Sequence, residues 1–208
     1  MTVTDITKTK KGRYALFVDG EFLFSIHKDS FFKTKLTTGI SMTVQELEQL
    51  RLEDELLSAK EAALNVLSRA AQSSGMLREK LARYYGEEAV EGTVERMTEL
   101  GLLDDVDYAK RLASDCVKLR GYSLARLRQE LRRRKLPPEA IEAALEQFEE
   151  RDESDPIIDI ILKKYKAKIF DEEGLRKTIA ALMRRGFSYS DIRTALNRIE
   201  EEELYLEQ

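Results

Sequence analysis

Leu131–Glu150, LRRRKLPPEAIEAALEQFEE, lies without a gap over Leu182–Glu201, LMRRGFSYSDIRTALNRIEE. The two stretches share Leu131/Leu182, Arg133/Arg184, Arg134/Arg185, Ile141/Ile192, Ala144/Ala195, Leu145/Leu196, Glu149/Glu200 and Glu150/Glu201. Self-similarity at an offset of about fifty residues is the mark of a tandem repeat. A looser first copy puts Val90, Val94 and Met97 at the positions of Ile141, Leu145 and Phe148, with a one-residue slip near Leu81.

Each copy divides into three short helices. In the middle copy Asp105 is expected to cap a helix whose Tyr108, Ala109, Leu112, Ala113 and Cys116 share one face. Gly121 stops that helix, and Ser123 caps the next, with Leu124, Leu127 and Leu131 as its apolar stripe. Pro137-Pro138-Glu139 opens the third, since proline in a first turn loses no helical hydrogen bond and an early glutamate suits the dipole. Ile141, Leu145 and Phe148 then face inward. In the last copy Asp155-Pro156 opens the unit, Gly186 closes its second helix and Ser188 caps its third. In the first copy Ser74 caps the second helix, Gly86 closes it and Gly101 ends the third.

Ahead of the repeats, Tyr14–Val18 and Glu21–Ile26 flank Asp19-Gly20, a strong short hairpin signal because both loop positions need positive φ. Pairing Val18 with Glu21 sets Phe17 against Phe22 and Ala15 against Phe24, with Ile26 on the same face. Val3–Thr9 offers a third strand, which an otherwise marginal ribbon needs. Asp29-Ser30 is expected to cap a short helix ended by Thr38-Gly39. Thr43-Val-Gln-Glu46 fits a capping box for a helix running toward Leu57. The expected organisation is mainly α: a β segment with a short helix (1–42), a connecting helix (43–57), and three tandem three-helix repeats (58–104, 105–152, 153–208). Thin single cores favour stacking the repeats into an elongated, curved array.

Charged residues make up 36% of the chain and the net charge is −4, but the charges are segregated. Lys110, Arg111, Lys118, Arg120, Arg126, Arg128, Arg132, Arg133, Arg134 and Lys135 are opposed only by Asp115 and Glu130. From Glu139 to Asp155 the sign reverses, with Arg151 the lone base. Lys163, Lys164, Lys166 and Lys168 form a second basic stretch, and the C-terminal end is acidic. Such segregation points to a polyanionic or acidic partner. Cys116 is the one cysteine, so no internal disulfide or cysteine metal site is expected, which suits a reducing, cytoplasmic setting. No signal peptide or membrane span is expected, nor any glycine-rich phosphate loop, cofactor or metal.

Gly101-Leu-Leu-Asp-Asp105-x-x-Tyr108-Ala109, followed by Arg120-Gly121, Arg126-Leu-Arg and Leu131-Arg-Arg-Arg-Lys-Leu136, resembles the bacterial RecX regulatory proteins. The resemblance covers nearly the whole chain and is most specific in the middle copy. Lys135 stands where that family often carries a Lys-Gly pair, so its helix end lacks the usual glycine. The resemblance implies a non-enzymatic regulator, acting as a monomer, that binds the RecA recombinase filament on DNA along its helical groove. It implies inhibition of the filament's ATPase and strand exchange and limited filament growth. DNA itself would be held weakly or through the filament.

The Asp104-Asp105…Tyr108 pattern has the residue types of a metal or acid–base site, but a helix cap and a packed tyrosine need no more than these. His27 is lone and reads as a surface or edge residue; Cys116 reads as a small buried hydrophobe. The basic residues are a solvated face or a binding surface, and the scarcity of opposing acids favours binding. The candidates are the two basic stretches above together with Tyr122, Arg184 and Arg185. Tyr122 is placed either to stack on a base or to pack between helices. Two rival functions follow from the same features: a stand-alone DNA-binding protein whose three-helix units enter the major groove, and an inert scaffold. An enzyme comes last.

Overall fold

The computed structural model describes residues 1–148 and 150–206, with side chains described as far as residue 201. Glu149, one of the matched repeat positions, and residues 207–208, the end of the expected third repeat, lie outside the described residues. The chain forms two compact units, Met1–Asp104 and Asp105–Gln208.

Unit 1 opens with an antiparallel sheet of β1 (Val3–Lys8), β2 (Tyr14–Val18) and β3 (Glu21–Ile26) in the order β1-β2-β3. Asp19 (φ 51°) and Gly20 (φ 89°) make the expected tight turn. Val18 faces Glu21 and Phe17 faces Phe22 as expected, but the register then shifts. Leu16 meets Phe24 and Ala15 meets Ser25, not Phe24. The bulge has a physical reason. It carries Ile26 to the face of Leu16 and Val18, all three buried together with Val3, Leu47 and Leu50, whereas an unbroken ladder would put it beside the exposed Phe22.

Helix α1 (Lys28–Thr34) follows, and its cap is His27, not Asp29-Ser30. The His27 Nδ1 accepts from the Asp29 amide at 3.2 Å, while its Nε2 lies 3.2 Å from Glu61. α1 ends on Lys35 in the left-handed region, before Thr38-Gly39. The Thr43/Glu46 capping box forms as expected. The helix it starts, α2 (Val44–Leu67), does not end near Leu57 but runs on through Ser58 and Ala59, where no glycine or proline interrupts it. Its first half covers the sheet, and its second half supplies Ala63 to the core of α3 (Ser74–Leu81) and α4 (Glu87–Glu99). Asp54, buried in α2, accepts from Arg13 Nη2 and from the His27 amide, both at 2.5 Å, and ties sheet to helix. Ser73, one residue earlier than expected, caps α3 through the Met76 amide. Gly86 opens α4 where it was expected to close α3; its φ of −68° needs no glycine, and its amide donates to Glu55 at 2.6 Å.

Unit 2 holds α5 (Asp105–Lys118), α6 (Leu124–Arg133), α7 (Pro138–Leu145), α8 (Ser154–Lys164), α9 (Glu172–Met183) and α10 (Tyr189–Leu206). Short 3-10 turns follow α7 and α8. The repeat is visible in the helix starts, since Pro138 and Tyr189 are matched positions and each begins a helix. Leu131/Leu182, Ile141/Ile192 and Ala144/Ala195 are all buried. Asp105 is the first residue of α5 rather than the residue before it. Ser123 caps α6 through the Arg126 amide at 3.2 Å, and Ser188 receives the Asp191 amide at 3.1 Å.

Helix ends in the repeats share one device. After α4, Gly101 (φ 67°) donates to the Thr98 carbonyl and Leu102 to that of Met97, the paired bonds of a Schellman ending. Gly186 (φ 92°) and Phe187 do the same after α9. The position matching Gly186 in the middle repeat is Lys135, which takes φ 54° despite its side chain. Gly186 also has a second constraint: a Cβ there would lie 2.5 Å from Arg126 Cβ and 2.6 Å from Ser123 Oγ.

Substitution at these two matched positions should therefore act in opposite directions. Lys135→Gly relieves left-handed strain and should stabilise unit 2 by about 1 kcal/mol. Gly186→Ala adds both strain and a clash and should destabilise it by about 2–4 kcal/mol. Urea unfolding followed by far-UV circular dichroism measures both, and equal effects at the two positions would contradict the assignment.

Candidate functional site

The long basic stretch is not a uniform surface once folded. Leu127 and Leu131 turn inward on α6 and carry Glu130 with them, leaving that carboxylate only 6% exposed. Arg133 reaches it through Nε at 2.9 Å and Nη2 at 2.8 Å, and Arg134 through Nε at 3.2 Å. Arg134 also donates to the Tyr108 hydroxyl at 3.2 Å. Hydrogen bonds from Arg133 hold the Glu130 carboxyl below its ordinary value, with burial opposing them. Two of the candidate cations are therefore structural. They hold a buried acid in its charged form and, through Tyr108, tie α6 to α5.

The other candidates on these helices divide again. Arg128 lies 3.6 Å from Glu142, and Arg111 is paired with Asp107. Tyr122 packs against the core of the middle repeat, with the guanidinium groups of Arg120 and Arg126 at 5.9 and 5.7 Å from its ring centre. Of the two readings for Tyr122, packing is what its surroundings describe. Arg132, Lys110 and Lys135 are exposed. Cys116 is fully buried, and burial raises its thiol above the ordinary value, which suits a packed side chain rather than a nucleophile.

A distinct group assembles where the middle and last repeats meet. Lys118 ends α5 and Arg120 follows it; Lys163 and Lys164 end α8; Arg185 follows α9. These five candidates, far apart in sequence, line one cleft of about 310 Å³. Its wall is kept open at Gly121 (φ 63°), where a Cβ would stand 3.0 Å from Ile160 Cδ1. A sixth cation in the cleft is Arg151, the lone base of the acidic stretch and not among the candidates from sequence. Three of the acids that follow it have other partners. Asp152 and Asp155 turn to Arg198 at 3.4 and 3.0 Å. Glu153 accepts from the Leu124 amide at 3.3 Å, and burial raises its carboxyl above the ordinary value. Lys163 pairs with Asp159 at 3.0 Å, but among the described residues Lys118, Arg120, Arg151, Lys164 and Arg185 have no carboxylate within 4.0 Å.

Lys110, Arg111, Arg128, Arg132, Lys166, Lys168 and Arg184 line no part of this cleft. Lys168 lies 6.0 Å from the Tyr165 ring, and Arg184 is exposed. Among the described residues no group of three or more His, Cys, Asp or Glu is placed to hold a metal, and no helix is long and apolar enough to cross a membrane.

Four models of one protein family match successive parts of the chain. They are the regulatory protein RecX N-terminal domain over residues 1–43, and the first, second and third three-helix domains of RecX over 59–97, 104–145 and 157–196. The chain belongs to the RecX family. Among relatives named Regulatory protein RecX, that of Caldanaerobacter subterraneus subsp. tengcongensis is 29% identical, over 95% of this chain and 99% of the relative. That of Clostridioides difficile strain 630 is 27% identical, over 95% of each. A crystal structure of regulatory protein RecX superposes with a TM-score of 0.63 at 22% identity, covering 94% of this chain and 98% of the other. A RecX structure from Lactobacillus salivarius gives 0.61 at 19% identity, over 71% and 98%. At those identities the structures establish the fold; the role of regulatory protein comes with the family.

The Glu130 cluster gives a test of which cations are structural. Glu130→Gln should cost about 1.5–3 kcal/mol near neutral pH, the range for hydrogen bonds to charged groups. The folded value is depressed, so the contribution is complete above the unfolded carboxyl value of 4.5 and is lost as pH falls through the lower folded value. Urea midpoints measured across that range should converge for wild type and variant at the acid end; a gap independent of pH would overturn the cluster's electrostatic role.

Proposed function

We propose that this protein regulates the RecA recombinase in the bacterial cytoplasm, binding as a single chain to the RecA filament on DNA. It lowers the filament's ATPase and strand exchange and limits its growth. The reading is supported by family membership and carried by one observation: successive repeats place unpaired cations on a shared surface. A RecA filament on DNA offers anionic groups repeating along a helix, and a chain of repeats can meet several of them at once. Restraining neighbouring subunits opposes the changes that accompany ATP turnover, so one regulator acts on more than one subunit. No catalytic group is required for this.

The steady-state ATPase of a RecA filament on single-stranded DNA, titrated with this protein below one chain per RecA subunit, tests the reading. Strong inhibition at such ratios is the expected result. The double variant Arg128→Glu/Arg132→Glu changes exposed residues one turn apart on α6 and spares the Glu130 cluster. It should raise the half-inhibitory concentration about 10-fold, a loss of about 1.4 kcal/mol, with the circular-dichroism spectrum unchanged. Unchanged inhibition would remove that face of α6 from the mechanism. No inhibition by the wild-type chain, with tight salt-sensitive DNA binding instead, would replace the proposal with a stand-alone DNA-binding protein.

A further inference from the structure

The cleft between the middle and last repeats holds six cations and one carboxylate, Asp159, which is already paired with Lys163. The cations differ in their relation to the helices around them. Lys118 and Lys164 are the last residues of α5 and α8, and Arg185 lies just past α9. Helix C-termini carry partial negative charge, which offsets part of the repulsion among cations placed there. Arg151 has no such compensation. It precedes the start of α8, the end with partial positive charge. Its Nη1 is buried and, among the described residues, has no hydrogen-bond partner. A guanidinium nitrogen taken out of water without an acceptor is costly; Asp152 and Asp155 pair with Arg198, and Glu153, close enough to feel the Arg151 charge, accepts from the Leu124 amide instead of from Arg151.

We propose that this cleft is a phosphate-binding subsite for the backbone of a single nucleic-acid strand, with Arg151 as the buried donor and Lys118 and Lys164 as outer point charges. The volume of about 310 Å³ equals that of roughly ten waters. It is therefore roomy for a phosphodiester and its sugar but too narrow for a helix of a protein partner or for duplex DNA to enter. Arg120, at one side of the cleft, is held over the Tyr122 ring at 5.9 Å from its centre. A phosphate oxygen accepts from Arg151 Nη1, and the ammonium groups at the two helix ends neutralise the remaining charge. The inference deepens the proposed function, since it names the ligand of one part of the basic surface. It does not depend on RecA.

The test is fluorescence anisotropy of a labelled oligothymidylate titrated with the full chain, without RecA, over a range of salt concentrations. Two variants are compared with wild type. Arg151→Gln removes the buried donor; Lys118→Gln/Lys164→Gln removes only exposed, unpaired ammonium groups and leaves the packing intact. Each should raise Kd about 10-fold at low salt. Each should also reduce the slope of log K against log salt by about 0.7 for every phosphate no longer neutralised. Arg151→Lys should recover the salt slope but only part of the affinity, since an ammonium lacks the guanidinium fork. Unchanged Kd and slope in both variants would overturn the proposal. So would an equal loss of binding to labelled polyglutamate, which would assign the cleft to an acidic protein surface. Failure in either form leaves inhibition of the RecA ATPase untouched, and loss of that inhibition in wild type would not affect this result.

Discussion

In unit 2 the start of α6 and the end of α9 meet through a backbone hydrogen bond that joins the middle and last repeats. The Ser123 amide, at the start of α6, donates to the Arg185 carbonyl, just past the end of α9, at 3.1 Å. A helix start offers unsatisfied amides and a helix end offers unsatisfied carbonyls, so the two repeats satisfy each other where each alone would need water. The approach is close because Gly186 has no side chain to hold it off. The cleft lies beside that contact. There the turn after α5 packs against α8, Arg185 lies across Gly121, and the basic ends of α5 and α8 line one opening.

The same packing sorts the cations. A run such as Arg132-Arg133-Arg134-Lys135 is one charge block in sequence, yet its members have three different situations. Arg133 and Arg134 serve Glu130, Arg132 stands in solvent, and Lys135 turns its backbone into a left-handed helix end. Glu130 is buried because it lies between Leu127 and Leu131 on the inward face, and its charge survives there only with the two guanidinium groups. The middle repeat therefore uses part of its basic excess to hold its own core, and what remains exposed is divided between the outer face of α6 and the cleft toward the last repeat.

Local signals determined much of the fold in advance. Asp19-Gly20, the Thr43/Glu46 box, Gly101, Gly121, Gly186, Ser123 and Pro138 each act through the backbone within a few residues, and each is found at the expected place. What escaped was set by distance in space. The bulge between β2 and β3 answers to burial against α2, not to the turn that joins the strands. The absence of a break near Leu57 answers to a helix that serves two cores at once. Gly86 resembles a helix stop by composition, but its amide is satisfied by Glu55 and it begins a helix instead. Arg151 is the clearest case among the functional candidates. It is the lone base of an acidic stretch in sequence, and only folding shows it in a basic cleft, with Asp152 and Asp155 paired to Arg198 and Glu153 bonded to the Leu124 amide.

That diversion bears on what the cleft is for. The chain has more acids than bases, 39 against 35, so a carboxylate for Arg151 was within reach of ordinary sequence change. Asp152, Glu153 and Asp155 all stand within four residues of it, yet Asp152 and Asp155 pair with Arg198 and Glu153 accepts from the Leu124 amide, and none of the three forms an ion pair with Arg151. A fold shaped by stability alone would close such a pair, because leaving a buried guanidinium nitrogen unmatched costs more than an exposed ion pair contributes. Keeping the cations together and the acids apart instead preserves a local positive field in a protein of negative net charge. Such a field draws in an anionic strand from a distance, weakens with salt, and is neutralised only when the strand arrives.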